Sequence, residues 1–200
     1  MRATKQLPAN YHLNKTLDFS SSRAALWLNL AAVPLVFLFG WLFSRIIYYL
    51  RSINPSATGV WGLLNAFSGL GVIALILSLI FMLTFHELIH GAFFWLFTSE
   101  RPKFALRPGY AYASSPDWRL PRRQYVIVGL SPLVIISLLS MLFAMILPSS
   151  TVPYLFYIAT FNAAGALGDM IVVGWVLRQS PAILVQDTGD KFISYTPEGK

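Results

Sequence analysis

The chain has 200 residues, of which 56% are hydrophobic and only 12% are charged. Since a soluble domain carries about 25% charged residues, this composition excludes an ordinary soluble globule. It also excludes a disordered chain, which requires low hydrophobicity. The absence of Cys excludes disulfide scaffolds and Cys-ligated zinc, so any metal must be held by His, Asp or Glu.

Three runs without any Asp, Glu, Lys or Arg follow one another along the chain, at residues 24–44, 52–85 and 124–168. A membrane-spanning helix needs about 20 predominantly apolar residues, and a polar, proline-flanked segment divides the third run. The pattern predicts an all-α membrane protein with about four transmembrane helices. The alternative, a soluble protein with a buried helical core, leaves little sequence to cover that core. The helices are predicted at about 24–48, 64–97, 126–147 and 154–177.

The loop at residues 98–125 is the one long polar segment between the predicted helices. Residues 103–107 and 110–113 alternate polar and apolar side chains around the turn signal Pro108-Gly109. This alternation predicts a small cytoplasmic β-hairpin between helices 2 and 3. The remaining boundaries are a cytoplasmic N-terminal arm at 1–23, a single membrane domain at 24–180, and a cytoplasmic tail at 181–200 that is predicted to be frayed or disordered from residue 186.

The basic residues indicate the orientation of the predicted helices. With the N-terminus inside, 13 of the 15 Lys and Arg residues lie in cytoplasmic segments, as the positive-inside rule requires. This predicts a multi-pass protein of the cell membrane with both termini in the cytoplasm and with membrane lipid as a partner. The net charge of +7 then reflects topology and anionic headgroups, so nucleic acid is not expected as a partner.

The motif HELIH at residues 86–90 interrupts the second predicted helix. Positions i and i+4 share a helix face, so His86 and His90 can bind one Zn²⁺, with Glu87 beside the open coordination position as general base. Charged groups inside a membrane segment are costly and mark function. The alternative is a pair of interfacial His residues at the cytoplasmic helix end, with Glu87 capping the helix or paired with Arg.

A second polar cluster lies in the fourth predicted helix, at residues 162–169. Its only carboxylate is Asp169, and two His ligands need a third protein ligand to form a catalytic zinc site. Counted from the assumed membrane boundaries, Asp169 and His86 lie at similar depth, which favours Asp169 as that ligand. Asn162, two helical turns earlier, projects from nearly the same face. The alternative is that Asp169 pairs with Arg178 or caps a helix break.

Two other polar or irregular positions are predicted to have no chemical function. His12 lies in the polar N-terminal arm, where it is expected to be solvated. Pro132 falls early in the third predicted helix, where it is an allowed first-turn or kink residue.

The two polar clusters together resemble a known pattern, because an intramembrane HExxH helix followed by a helix with Asn and Asp is similar to the site-2-protease clan of intramembrane metalloproteases. Over about residues 80–180, the chain resembles a bacterial membrane family of zincin peptidases, a family of unknown function. The resemblance implies a zinc site formed by His86, His90 and Asp169, with Glu87 as base and Asn162 orienting the substrate. It rests on residues 85–91, 102–104, 110–114, 130–133 and 162–169.

The chain departs from the clan's pattern around the third ligand. Asp169 follows Asn162 by seven residues instead of eight, Gly165 stands where the clan has Pro, and Met170 follows the Asp. A zinc ligand at Asp169 remains compatible with this spacing, whereas the substrate-orienting function of Asn162 is less well supported.

Three functions are compatible with these features. The first is an intramembrane zinc metallopeptidase that hydrolyses membrane-embedded or membrane-proximal peptides or membrane proteins. The second is a non-catalytic metal-binding membrane scaffold. The third is a small transporter subunit with a His-Glu-Asp relay, which the lack of an inverted repeat disfavours.

Overall fold

A computed structural model of the chain describes residues 2–52, 69–107 and 110–198. The predicted turn at Pro108-Gly109 and the first residues of the predicted second helix, 64–68, lie outside the described residues. Five α-helices are present in the described ranges: α1 Ser22–Arg51, α2 Gly69–Thr98, α3 Arg122–Ile146, α4 Val152–Gly165 and α5 Leu167–Leu177. Six strands accompany them: β1 Tyr11–Asp18, β2 Lys103–Arg107, β3 Tyr110–Ser114, β4 Arg119–Pro121, β5 Leu184–Asp187 and β6 Lys191–Pro197.

Three of the helices are long and apolar enough to cross a membrane, namely Ser22–Arg51, Gly71–Thr98 and Arg122–Ile146. A short 3₁₀ turn, Ser149–Thr151, leads into α4, and α4 is followed after a one-residue break by α5. The two parts are bent by 43° and pass the same length and composition test as a pair. The described residues therefore contain three candidate spans, or four if the bent pair is one span, which is consistent with a membrane protein.

The prediction of an all-α fold is wrong, because the described residues also form two antiparallel sheets. One is a four-stranded sheet in the order β1-β6-β5-β4, and the other is the hairpin β2-β3. The predicted hairpin between the second and third helices is confirmed, with Lys103 opposite Ser114 and Arg107 opposite Tyr110. The tail, in contrast, is not disordered where it is described, because β5 and β6 belong to the four-stranded sheet.

One compact unit comprises Met1–Asn29, Glu87–Pro132 and Leu167–Lys200. It contains both sheets, and its apolar core is built from helix and strand side chains that are at most 9% exposed. Burying each large aliphatic or aromatic side chain in such a core contributes about 1.5–3 kcal/mol. The buried residues are Phe94, Leu120, Tyr125, Val128, Val172, Val176, Ile183, Val185 and Phe192.

The second compact unit comprises Leu30–His86 and Leu133–Ala166 and is helical in its described part. Small residues let its helices approach closely, since Ala159 and Ala163 of α4 are completely buried. A Cβ at Gly40 of α1 would lie 3.7 Å from side-chain atoms of Phe156 and Thr160, which is ordinary van der Waals contact. The buried residues of this core are Phe43, Ile47, Ala144, Val152, Phe156, Tyr157, Ala159 and Ala163.

Two arginines bind carbonyl groups at the C-terminal ends of helices, where the last carbonyls lack helical donors. At the end of α1, Arg51 donates from Nη1 to the carbonyl oxygens of Ala144 (2.9 Å) and Leu147 (2.7 Å) at the end of α3. At the start of α3, Arg122 donates to the carbonyl oxygens of Leu177 (2.8 Å) and Gln179 (3.0 Å) at the end of α5. The positive charges also complement the helix dipoles.

Candidate metal centre

The HExxH motif lies within α2, in a continuous helical stretch whose residues are mostly apolar. His86 and His90 are one turn apart and therefore project from the same helix face. Both rings are buried, with 9% and 7% of their surface exposed. Glu87 lies in the same turn and is half-buried. The motif thus presents two buried imidazoles and a carboxylate from one turn of a helix.

Asp169 lies in the first turn of α5, and its side chain is 27% exposed. A close approach of helices sets its position, because a Cβ at Gly129 of α3 would lie only 2.6 Å from a methyl group of Val173, one turn beyond Asp169. A side chain at position 129 would force Val173, or the helix that carries it, to shift. Glycine at this position therefore lets α5 bring Asp169 to within 3.4 Å of His90, measured from Oδ2 to Nε2.

The three predicted ligands form one group among the described residues. His86, His90 and Asp169 each offer one ligand atom, and these atoms all lie within 4.8 Å of one another. The structure therefore brings together the two His residues of the motif and the acidic residue of the second cluster. His12, the remaining His, lies exposed in β1 and is not part of the group.

The hydrogen bonds of the two rings fix which nitrogen is available to a metal. His90 Nδ1 lies 2.9 Å from the carbonyl oxygen of Val128, and His86 Nδ1 lies 2.9 Å from Oδ1 of Asn162. Carbonyl and amide oxygens only accept hydrogen bonds, so each Nδ1 carries the hydrogen and donates it. Nε2 is therefore the nitrogen that each neutral ring can offer to a metal.

These residues fit a zinc ion by their donor chemistry. Two neutral imidazoles and one carboxylate form an accepted ligand set for catalytic zinc, which leaves a fourth position open. In a tetrahedral site with bonds of about 2.0–2.1 Å, neighbouring donors are about 3.3 Å apart, close to the 3.4 Å between His90 Nε2 and Asp169 Oδ2. A lone pair facing a carboxylate at this distance is favourable when a cation lies between them.

Asn162 is placed next to a ligand and is almost fully buried, with 1% of its surface exposed. It lies near the C-terminal end of α4, and its side-chain oxygen contacts His86. The expected substrate-orienting function of Asn162 stays a prediction. What the geometry shows is an amide that orients one ring of the candidate metal centre.

A buried carboxylate outside the group of candidate ligands was not expected from the sequence. Asp187 at the end of β5 is 6% exposed, accepts a hydrogen bond from the hydroxyl of Tyr125 (2.8 Å), and accepts another from the N–H of Gly189 (2.7 Å). Burial raises the pKa of the Asp187 carboxyl to about 7, although both hydrogen bonds favour its ionised form. Because Asp187 lies in the tail predicted as disordered, its sequence position carried no signal for a buried site.

The Val128 carbonyl is the other functional group that sequence reasoning missed. It is a backbone group, so the type of residue at position 128 does not indicate its contact with His90. The available signal was Pro132, four residues later in α3, which was predicted to have no chemical function.

One comparison with known proteins matches the part of the chain that contains this site. A family model described as "Putative zincin peptidase" matches residues 79–185, which include the HExxH motif, the hairpin, Asn162 and Asp169. No curated protein and no solved structure matches the chain. The matched stretch covers more than half of the 200 residues, and the predicted membership is confirmed, while the likeness to the site-2-protease clan remains a resemblance. The chain belongs to the zincin peptidase family that this model describes.

Proposed function

We propose that the protein is an intramembrane zinc metallopeptidase that hydrolyses peptide bonds of membrane-embedded or membrane-proximal substrates. One observation carries the proposal: a catalytic-type ligand set, His86, His90 and Asp169, lies on helices of a chain that matches a zincin family. The helix that carries both His residues is itself apolar enough to cross a membrane.

The chemistry follows from the residues around the candidate centre. His86, His90 and Asp169 would hold the zinc, which would supply Lewis acidity toward a carbonyl group and toward a water molecule near neutral pH. Glu87 takes the proton of the attacking water and delivers it to the nitrogen of the leaving amine. The water oxygen thereby bonds to the carbonyl carbon as the C–N bond breaks, and Glu87 returns to its ionised form.

The Nδ1 hydrogen bonds hold the rings of His86 and His90 in the orientation that presents Nε2 to a metal. Asn162 fixes His86 and the Val128 carbonyl fixes His90, so neither ring must rotate to present Nε2. Outer partners of this kind typically contribute 10–100-fold in metal affinity or activity. We therefore propose that Asn162 acts on the metal centre by orienting the ring of His86.

The hairpin β2-β3 is the segment best suited to hold an extended substrate. Phe104 of β2 packs where a side chain at Gly91 would stand, since a Cβ there would lie 2.5 Å from the Phe104 ring. Gly91 directly follows His90, so this contact holds the hairpin beside the motif. In the described part of the chain β2 pairs only with β3, so its other edge can accept an unwound peptide as an added strand.

Metal removal tests the proposed activity directly. Purified protein in detergent should contain one equivalent of zinc and cleave a fluorogenic peptide that includes a transmembrane segment. Treatment with a chelator should reduce cleavage to background, and one equivalent of zinc, but not of magnesium, should restore it. Bound zinc without cleavage of any peptide tried would instead support a metal-binding scaffold, and ion flux that survives chelation would support a transporter subunit.

We also propose that the chain crosses the membrane four times. The strands of the four-stranded sheet come from three segments: β1 precedes α1, β4 lies between α2 and α3, and β5 and β6 follow α5. A continuous hydrogen-bonded sheet lies on one side of the bilayer, so an even number of crossings separates any two of its strands. Two crossings between β4 and β5 require the bent pair α4–α5 to be a complete span.

The arginine contacts at helix ends support the same path. Arg51 joins the end of α1 to the end of α3, so these two helices finish on the same side. Arg122 joins the start of α3 to the end of α5, so the bent pair returns to the side on which α3 began. Combined with the excess of basic residues in the sheet-side segments, this favours the cytoplasm for the sheet and both termini.

Single-cysteine labelling tests this topology, since the chain has no Cys of its own. Cysteines at the exposed positions Lys15, Asp117 and Lys191 should react with a membrane-impermeant maleimide only after spheroplasts are opened. A cysteine at Ser150, between α3 and α4, should react in intact spheroplasts. If the Ser150 variant is protected like the other three, the bent pair does not cross and the four-span proposal is wrong.

A further inference from the structure

The proline inside α3 removes one hydrogen bond from that helix. In an α-helix the N–H of residue i donates to the carbonyl of residue i−4. Pro132 has no N–H, so the carbonyl of Val128 receives no bond from position 132. In a membrane-spanning segment a carbonyl left without a donor is costly. Another group is therefore needed to satisfy this oxygen.

Two side chains supply donors to the Val128 carbonyl. His90 donates from Nδ1 at 2.9 Å, and Ser131 donates from its hydroxyl at 2.8 Å. All three residues are buried, with Val128 at 2% exposure and His90 and Ser131 each at 7%. A carbonyl oxygen has two lone pairs, so these two donors fill its capacity.

We propose that Pro132 is a positioning residue for the metal centre, because it withholds the helical N–H and so reserves the Val128 carbonyl for His90. The hydrogen bond at Nδ1 in turn fixes the orientation of the His90 ring and leaves Nε2 facing Asp169. The consequence for zinc rests on the function proposed above, whereas the control of the His90 ring orientation does not.

An alanine at position 132 distinguishes this proposal from a packing effect of the proline ring, because its N–H competes for the Val128 carbonyl. This N–H points along the helix toward the Val128 carbonyl and donates to it, so that three donors compete for two lone pairs. The helix itself gains a hydrogen bond and loses the strain of an internal proline. The Pro132→Ala variant should therefore have an α3 helix that is at least as stable as in the wild type and a His90 ring that is less well oriented.

Pro132→Ala is expected to raise the zinc dissociation constant by about 10–100-fold, as loss of an outer partner of a His ligand typically does. In protein with ¹⁵N-labelled His and no metal, the wild type should show an Nδ1–H of His90 that is hydrogen-bonded and protected from exchange with solvent. The variant should lose this protected Nδ1–H, while its thermal unfolding midpoint should not fall. Replacing Pro132 with the α-hydroxy analogue of alanine, which has no N–H, should restore both the protected Nδ1–H and the zinc affinity.

Pro34 provides the matched control, because it is the proline inside α1, a helix that carries none of the three candidate ligands. Pro34→Ala should leave the protected Nδ1–H of His90 and the zinc affinity unchanged. An unchanged His90 spectrum in Pro132→Ala overturns the inference, and so does an equal loss in the α-hydroxy variant. A wild type with the protected Nδ1–H but without zinc binding supports the inference and refutes the proposed function.

Discussion

Replacing Glu87 with Gln should lower peptide cleavage by about 10²–10⁴-fold, the range expected for loss of a positioned general acid–base group. The amide has nearly the shape of the carboxylate but cannot accept the proton of the attacking water. Because Glu87 is not one of the three ligand residues, zinc content should remain at one equivalent per chain. Steady-state cleavage of the fluorogenic peptide should show the loss in kcat with little change in KM.

Glu100 offers a matched control for this substitution. It lies just beyond α2, where Lys5 and the indole N–H of Trp118 bind its carboxylate and hold the pKa of Glu100 below its usual value. Glu100→Gln therefore removes an ionised carboxylate without touching the candidate centre, and we expect cleavage within about twofold of wild type. Full cleavage by the Glu87→Gln protein would exclude Glu87 as the base.

Asp169→Ala and His86→Ala should each abolish stoichiometric zinc binding. Either change leaves only two protein ligands in the group of three, and we expect zinc affinity to fall by more than the 10–100-fold typical of losing an outer partner. Metal analysis of the purified proteins and a competition titration with a zinc chelator measure this. The surface variant Asp117→Ala, whose carboxylate binds Lys103 in an exposed ion pair, should bind zinc normally.

Asn162→Ala gives a graded comparison in the same titration. Asn162 contacts His86 and is not a member of the ligand group, so its loss should weaken zinc binding by about 10–100-fold and less than the ligand variants do. Retention of wild-type affinity in Asp169→Ala would remove Asp169 from the ligand set. An Asn162→Ala protein that binds zinc normally but shows a raised KM would return Asn162 to the substrate-orienting function implied by the family resemblance.

The parts of this fold that were predictable from sequence are those with local signals. Long apolar runs predicted the helices, since spanning a membrane requires about 20 apolar residues in a row. The i and i+4 spacing of His86 and His90 predicted a shared helix face from the geometry of one helix. Asp169 was found because a single carboxylate stands out in an otherwise charge-free run. Each signal needs only a short window of sequence.

The four-stranded sheet could not be predicted in the same way. In β6 the buried face carries Phe192, Ser194 and Thr196, and the other face carries Ile193 and Tyr195. Both faces mix polar and apolar residues, so the alternation that indicates a strand is missing. β6 is held as a strand by its pairing with β1 instead, and this pairing joins residues that are far apart in the chain.

The environment of the metal centre was hidden for a different reason. His90 is oriented by a backbone carbonyl, and the type of a residue does not indicate what its backbone groups contact. Pro132 was the visible sign of that carbonyl, but a proline in a helix is also compatible with a simple kink. Only the contact between α2 and α3 shows that the missing hydrogen bond of one helix is used by a side chain of the other.

The pairing of β1 with β6 also sets the order in which the molecule can be completed. β1 leaves the ribosome before the other described strands and its partner β6 leaves after them; Asp18 of β1 pairs with Lys191 and Tyr11 with Pro197. All five described α-helices are therefore synthesised while β1 is still unpaired. An unpaired β1 exposes few side chains that would otherwise be buried, since most of them are exposed even in the complete fold. Closure over so long a separation makes the sheet a late and slow step of folding.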